Sequence, residues 1–177
     1  METFDFGKKK LLGVVFDLSI DHDKDGNRYI DILKLKLNKK VYDSDENLLV
    51  FVSHPDNQVP RLSSQGTAQI DNYDEPLDFR LGEATKFVAH SVGDSVEDAD
   101  KFIIVFTNRF NPKFKNHYRA LCDIKKNKNY DYDISFVLIG DKKEYDYVKK
   151  MCDESGCKFF YVPEMKFFDE VLNQIGV

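Results

Sequence analysis

Short, mostly apolar runs bounded by polar clusters recur along the chain: Leu11 to Phe16, Leu48 to Val52, Phe102 to Phe106, Ile134 to Ile139 and Phe159 to Val162. Runs of this length without strict alternation predict strands buried on both faces, the kind found in parallel sheets covered by helices. The segments between them carry helical periods. Leu77, Leu81, Ala84 and Val88 step by four, three and four positions. Phe114, Tyr118, Leu121 and Cys122 form a second stripe behind Asn111-Pro112, a cap and first-turn pair, with Lys125, Lys126 and Lys128 complementing the dipole at the far end. Asp141 and Glu144 have capping-box spacing, Val148, Met151 and Cys152 supply an apolar face, and Gly156 is a left-handed stop before a strand at Lys158. Phe167, Phe168, Val171, Leu172 and Ile175 predict a closing amphipathic helix after Pro163.

Two stretches are harder to read. Between Tyr29 and Val41, the residues Ile30, Leu33, Leu37 and Val41 fit a helix, whereas Leu33, Leu35 and Leu37 alternate with lysines as a strand would. Its place between two buried strands favours the helix, because parallel neighbours need a crossover. The polar stretch from Ser53 to Asp74 reads as a loop holding a short edge strand near Thr67 to Ile70. Strands alternating with helices predict an α/β fold: a Rossmann-like three-layer sandwich, with a mostly parallel central sheet and helices on both faces, in one domain over residues 1–177. In such sheets ligands bind outside the carboxyl ends of the strands.

Composition narrows the function classes. Acidic side chains outnumber basic ones, 31 to 26. That balance disfavours broad attraction to phosphate backbones, so no nucleic-acid partner is expected. Residues 1–10 are charged, and no apolar run approaches the ~18 residues that cross a bilayer, so neither secretion nor membrane insertion is expected. Cys122, Cys152 and Cys157 include no CxxC pair, which fits free thiols in a reducing, cytoplasmic setting. They read as buried or half-buried thiols on a helix and at a strand start.

The end of the first strand carries the sharpest motif. Asp17-Leu18-Ser19-Ile20-Asp21 can bring alternate side chains to one oxygen-lined point. Here the sequence resembles a von Willebrand factor A domain, whose metal-ion-dependent adhesion site opens with Asp-x-Ser-x-Ser. The resemblance continues through Phe102 to Arg109, similar to the strand that ends at a metal-site Asp. It extends over Asp133 to Val162, with Ile139-Gly140, a capped helix, Gly156 and Tyr161-Val162-Pro163. It implies Asp17 and Ser19 as the first two metal-site residues, with Asp21 in place of the second Ser. The family's Asp at the end of the fourth strand falls at Thr107 or Asn108, neither of them charged, and its loop Thr has no secure counterpart among Thr67, Asp74 and Glu75. The implied site is therefore degenerate: Asp17, Ser19, Asp21 and Asn108 around a weakly held Mg²⁺. The function implied is non-catalytic: a protein-binding or scaffold module acting through the loops at the carboxyl ends of the strands.

Other chemistries fare less well. Asp23 to Asp31 looks like an EF-hand loop, but Lys34 or Ile32 stands where the bidentate carboxylate belongs, depending on register, so an acidic turn is expected. The alternative enzyme reading is a haloacid-dehalogenase-like phosphatase with Asp17 as nucleophile, Thr107 behind it and Asp141 as the acidic metal motif. It lacks the general-acid Asp two positions after the nucleophile, where Ser19 stands. The four histidines lie in separate segments without zinc-site spacing. Lys113 to Lys128 reads as the solvated face of a helix.

Overall fold

The computed structural model describes residues 9–17, 25–43, 48–53, 61–63, 81–95, 98–108 and 115–177. Six strands form one sheet: β1 (Lys9–Asp17), β2 (Leu48–Ser53), β3 (Arg61–Ser63), β4 (Ala99–Thr107), β5 (Asp133–Ile139) and β6 (Lys158–Val162). Their order across the sheet is β3-β2-β1-β4-β5-β6, parallel throughout except for the short antiparallel edge strand β3. That edge strand lies earlier than the sequence suggests, and Thr67 to Ile70 fall outside the described residues. Chain direction across the sheet reverses between β1 and β4, which makes their shared carboxyl end the switch point.

The helices are α1 (Tyr29–Asp43), α2 (Leu81–Gly93), α3 (Lys115–Lys128), α4 (Tyr145–Ser155) and α5 (Phe168–Ile175), the last entered through a 3₁₀ turn at Met165–Phe167. Successive side chains of β1 point to opposite faces and divide the core. Leu12, Val14 and Phe16 join Ile104 and Phe106 of β4 under Leu33, Leu37 and Val41 of α1 and Phe168 and Leu172 of α5. Leu11 and Val15 join Ile103 and Val105 under Val88 of α2, Leu121 of α3 and Val148 and Met151 of α4. Each fully buried Leu, Val or Phe contributes roughly 1.5–3 kcal/mol of transfer free energy, so both faces must be covered for the sheet to persist. On the first face the Phe16 and Phe106 rings stack with centroids 5.5 Å apart, and Phe168 closes over Phe106 at 5.4 Å.

The ambiguous segment is a helix. Leu33, Leu37 and Val41 are buried while Leu35 is 71% exposed, the outcome of a 3.6-residue period rather than a two-residue one. α2 lies close against β1 because Gly13 has no side chain. A Cβ there would stand 2.5 Å from Cγ1 of Val88 and 2.8 Å from Cγ2 of Val92.

Two local expectations need correction. Asp141 and Glu144 do not form a capping box: Glu144 is itself the N-cap of α4 without a side-chain cap bond, and the Asp141 carboxylate instead accepts from the Lys143 N–H at 2.9 Å. An Asp can satisfy the turn two residues ahead as readily as a helix end, and the short turn into α4 selects that option. Phe167 does not join the apolar face of α5 but belongs to the 3₁₀ turn and is partly exposed. Gly156 does end α4 in the left-handed conformation (φ 71°). Asn111-Pro112, the proposed cap of α3, lies outside the described residues.

Candidate functional site at the carboxyl ends of the strands

Asp17 is the last residue of β1 and lies in register with Thr107, the last residue of β4. The apolar run that precedes it carries it into the protein, and it is only 2% exposed. A buried carboxylate must collect hydrogen bonds or become prohibitively expensive. It collects two hydroxyls on one oxygen. Tyr118 of α3 donates its O–H to Oδ2 of Asp17, and the Thr107 hydroxyl approaches the same oxygen at 3.4 Å. Tyr118 is itself fully buried, with its ring edge-to-face on Phe136 at 5.3 Å, so its hydroxyl is aimed by packing. Asn108 follows immediately and is half-buried.

The structure thus sets Asp17 beside Thr107 at the switch point, with Asn108 the next residue along the chain. Ser19 and Asp21, the other two expected ligands, lie outside the described residues, as do Thr67, Asp74, Glu75 and most of the acidic Asp21 to Asn27 loop. Tyr118 was not anticipated. On the sequence it is one member of an apolar stripe, and only its hydroxyl hints at a buried acceptor. The described donors, one carboxylate with an oxygen already engaged by two hydroxyls and one neutral amide, do not by themselves fit a divalent cation, which needs several unoccupied oxygens. Among the described residues no group of three or more His, Cys, Asp or Glu side chains is arranged to hold a metal ion.

The same geometry gives no support to phosphoryl transfer. A nucleophilic carboxylate must face the substrate, whereas Asp17 is buried and held by Tyr118. Asp141 is occupied in its turn.

Beyond the switch point, the ends of β5 and β6 carry an aromatic cluster. Tyr161 donates its hydroxyl to the Gly140 carbonyl at 2.6 Å. The Tyr29 hydroxyl lies 3.1 Å from the point a Cβ on Gly140 would occupy, so the two tyrosines flank this glycine. Tyr145, at the start of α4, sits edge-on to both Tyr161 (5.4 Å) and Phe159 (5.1 Å). The Lys142 ammonium stands 5.5 Å from the Tyr161 ring and 5.9 Å from the Tyr145 ring, within cation–π range. Burial, then Asp141 and Tyr29, push the Tyr161 hydroxyl above the ordinary tyrosine range, so it remains a neutral donor. Sequence reading passed over this cluster because its members come from α1, the β5–α4 turn, α4 and β6. All four aromatics are at most half-exposed.

The basic segment of α3 behaves as expected of a helix face: Arg119 pairs with Glu154, and Lys125 donates to the Tyr132 carbonyl. No described helix is long and apolar enough to cross a membrane.

No protein-family model and no curated protein sequence matches the chain. Solved structures do. A von Willebrand factor type A protein from Catenulispora acidiphila superposes with a TM-score of 0.58 at 11% identity, covering 94% of this chain and 42% of that one. The ArnB paralog VWA2 from Sulfolobus acidocaldarius superposes with a TM-score of 0.60, also at 11% identity, covering 93% of this chain and 44% of that one. The fold is therefore of the von Willebrand A type, and the chain spans less than half the length of either structure.

Proposed function

We propose that this chain is a non-catalytic protein-binding or scaffold module, acting inside the cell, whose partner docks at the carboxyl ends of the strands. The observation that carries the proposal is the cluster of Tyr29, Tyr145, Tyr161 and Lys142 beside the switch point. Tyrosine offers a large, stiff, amphipathic contact area at low entropic cost and is enriched among the residues that dominate binding energy. Lys142, held over two rings, presents a positive charge at the rim, where it suits an acidic side chain on the partner. A von Willebrand A fold supports the choice of an interaction module over an enzyme, and the burial of Asp17 supports it further.

The metal is secondary in this proposal. Tyr118 and Thr107 do for the Asp17 carboxylate part of what a cation would do, so any Mg²⁺ held with Ser19, Asp21 and Asn108 binds weakly and docking does not depend on it. The test is affinity capture from the native host with wild-type protein, with and without chelator, beside a Lys142→Glu, Tyr145→Ala variant. Wild type is expected to retain a specific partner in chelator, and the variant to lose about tenfold or more in affinity, the effect of removing one binding hot spot. A folded variant that retains the partner at full affinity would overturn the placement of the interface, and loss of capture in chelator would restore the metal to a central role.

A further inference from the structure

At the amino ends of the strands, away from the switch point, three side chains with three different donor chemistries meet. His90 lies in the last turn of α2, and Asp94 directly follows that helix. The Asp94 N–H donates to the His90 carbonyl at 2.8 Å, so the helical turn carries past Gly93 and sets the two side chains four positions apart on one face. Tyr130 comes from the turn between α3 and β5. Its N–H donates to the Lys125 carbonyl at 3.0 Å after Asn129 enters the left-handed region (φ 53°), a helix end that sets the course of the chain through Tyr130. The Tyr130 ring lies against Gly93, where an added Cβ would stand 2.5–2.6 Å from three of its atoms, so the missing side chain lets the ring reach the end of α2. The Tyr130 hydroxyl donates to one oxygen of the Asp94 carboxylate. His90 Nδ1 stands 3.2 Å from that hydroxyl and 3.8 Å from the other carboxylate oxygen.

From this triangle of donors we infer that His90 Nδ1, the Asp94 carboxylate and the Tyr130 oxygen form a binding site for a divalent transition-metal ion, Zn²⁺ above all, with water at the fourth position. Zn²⁺ takes imidazole nitrogen and oxygen ligands at about 2.0–2.2 Å, and a tetrahedral shell of such bonds holds its donors roughly 3.3 Å from one another. The spacings of 3.2 and 3.8 Å are already close to that scale. The tighter contact between Tyr130 and Asp94 widens when the ion takes the place of the proton they share. A neutral imidazole, a carboxylate and a phenolate together cancel the charge of the ion, and imidazole is a ligand that suits zinc.

The hydrogen bond to Asp94, and then burial, hold the Tyr130 hydroxyl above the ordinary tyrosine range, so without the ion it keeps its proton. Binding therefore exchanges that proton for the metal and releases it to water. The His90 and Asp94 side chains are 44% and 67% exposed, and an ion reaches them without opening the core. In the sequence the site is hidden: a single histidine and aspartate at helical spacing gain their third ligand from a tyrosine 36 positions beyond Asp94.

The test titrates Zn²⁺ alone into the reduced full chain, first freed of metal by chelation, and reads calorimetry beside near-ultraviolet difference absorption. One ion per chain is expected, with the absorption of one tyrosinate appearing in step. Tyr130→Phe, which keeps the ring against Gly93, should lose that signal and weaken binding at least about tenfold. His90→Ala and Asp94→Ala should weaken it as much, because even residues outside a metal's own shell commonly cost about 10–100-fold. X-ray absorption at the zinc edge, which needs no substitution, should show nitrogen and oxygen donors and no sulfur. A sulfur shell, saturation without a tyrosinate signal, unchanged affinity in folded Tyr130→Phe and His90→Ala, or no binding at millimolar Zn²⁺ would each overturn the inference.

Discussion

Tyr118→Phe removes one hydroxyl from the interior and leaves the ring in place, edge-on to Phe136. The perturbation falls almost wholly on the bond to Asp17 Oδ2. A hydrogen bond to a charged group is worth about 1.5–3 kcal/mol net. Thr107 makes up only a small part of the difference, because its 3.4 Å bond to the same oxygen is longer than the roughly 2.5–3.0 Å usual for O–H···O and correspondingly weak. For a chain of this size such a loss lowers Tm by about 3–12 °C, taking 2–4 °C per kcal/mol. Thermal melting at pH 7 followed by circular dichroism reads the shift. A double-mutant cycle with Asp17→Asn separates the charge-assisted part: with a neutral acceptor the same deletion should be smaller by about 1 kcal/mol. An unchanged Tm for Tyr118→Phe, or a deletion cost identical in the two backgrounds, would refute the view that Tyr118 stabilises the buried carboxylate.

Asn108→Asp restores a negative charge beside Asp17, where von Willebrand A domains keep an Asp. It should increase the Tm gained on adding millimolar Mg²⁺ relative to wild type, and equal gains in the two proteins would show that Asn108 does not face the ion. Gly13→Ala places a methyl against Val88 and Val92 and should destabilise by about 1–3 kcal/mol, the usual effect of overpacking, measured by urea unfolding. A neutral result would mean that α2 moves away freely. Because the thiolate is the reactive form and Cys122 is drawn below the ordinary thiol range, by Cys157 and Lys125 against Asp123, its alkylation by iodoacetamide should reach half-maximal rate at lower pH than a free cysteine. Cys152, at about 12, should stay silent throughout the accessible range. Equal pH profiles for the two sites would contradict the assigned electrostatics.

Much of the architecture is legible one residue at a time. A strand buried on both faces must be apolar at nearly every position, so β1, β4 and β5 stand out unaided, and the sequences of β2 and β6 carry the same apolar signature. Burial at Leu33, Leu37 and Val41, with Leu35 outside, follows from the same periodic logic once the neighbouring strands demand a crossover. Asp17 at the end of such a run stands out for the same reason: a charge placed where the apolar run stops must be exposed, coordinated or hydrogen-bonded.

Which of those three it is lay beyond the sequence. The donor to Asp17 is 101 positions away on a helix whose stripe reads as plain core, and the second hydroxyl reaches it only because β1 and β4 pair in one particular register. Tyr29, Tyr145 and Tyr161 meet only after β6 has been laid beside β5. Local periodicity decides which face of an element is buried, because that depends on the spacing of side chains along a few turns. Contacts between polar side chains depend on register, crossover and packing between segments far apart in the chain, and those were decided by the tertiary structure alone.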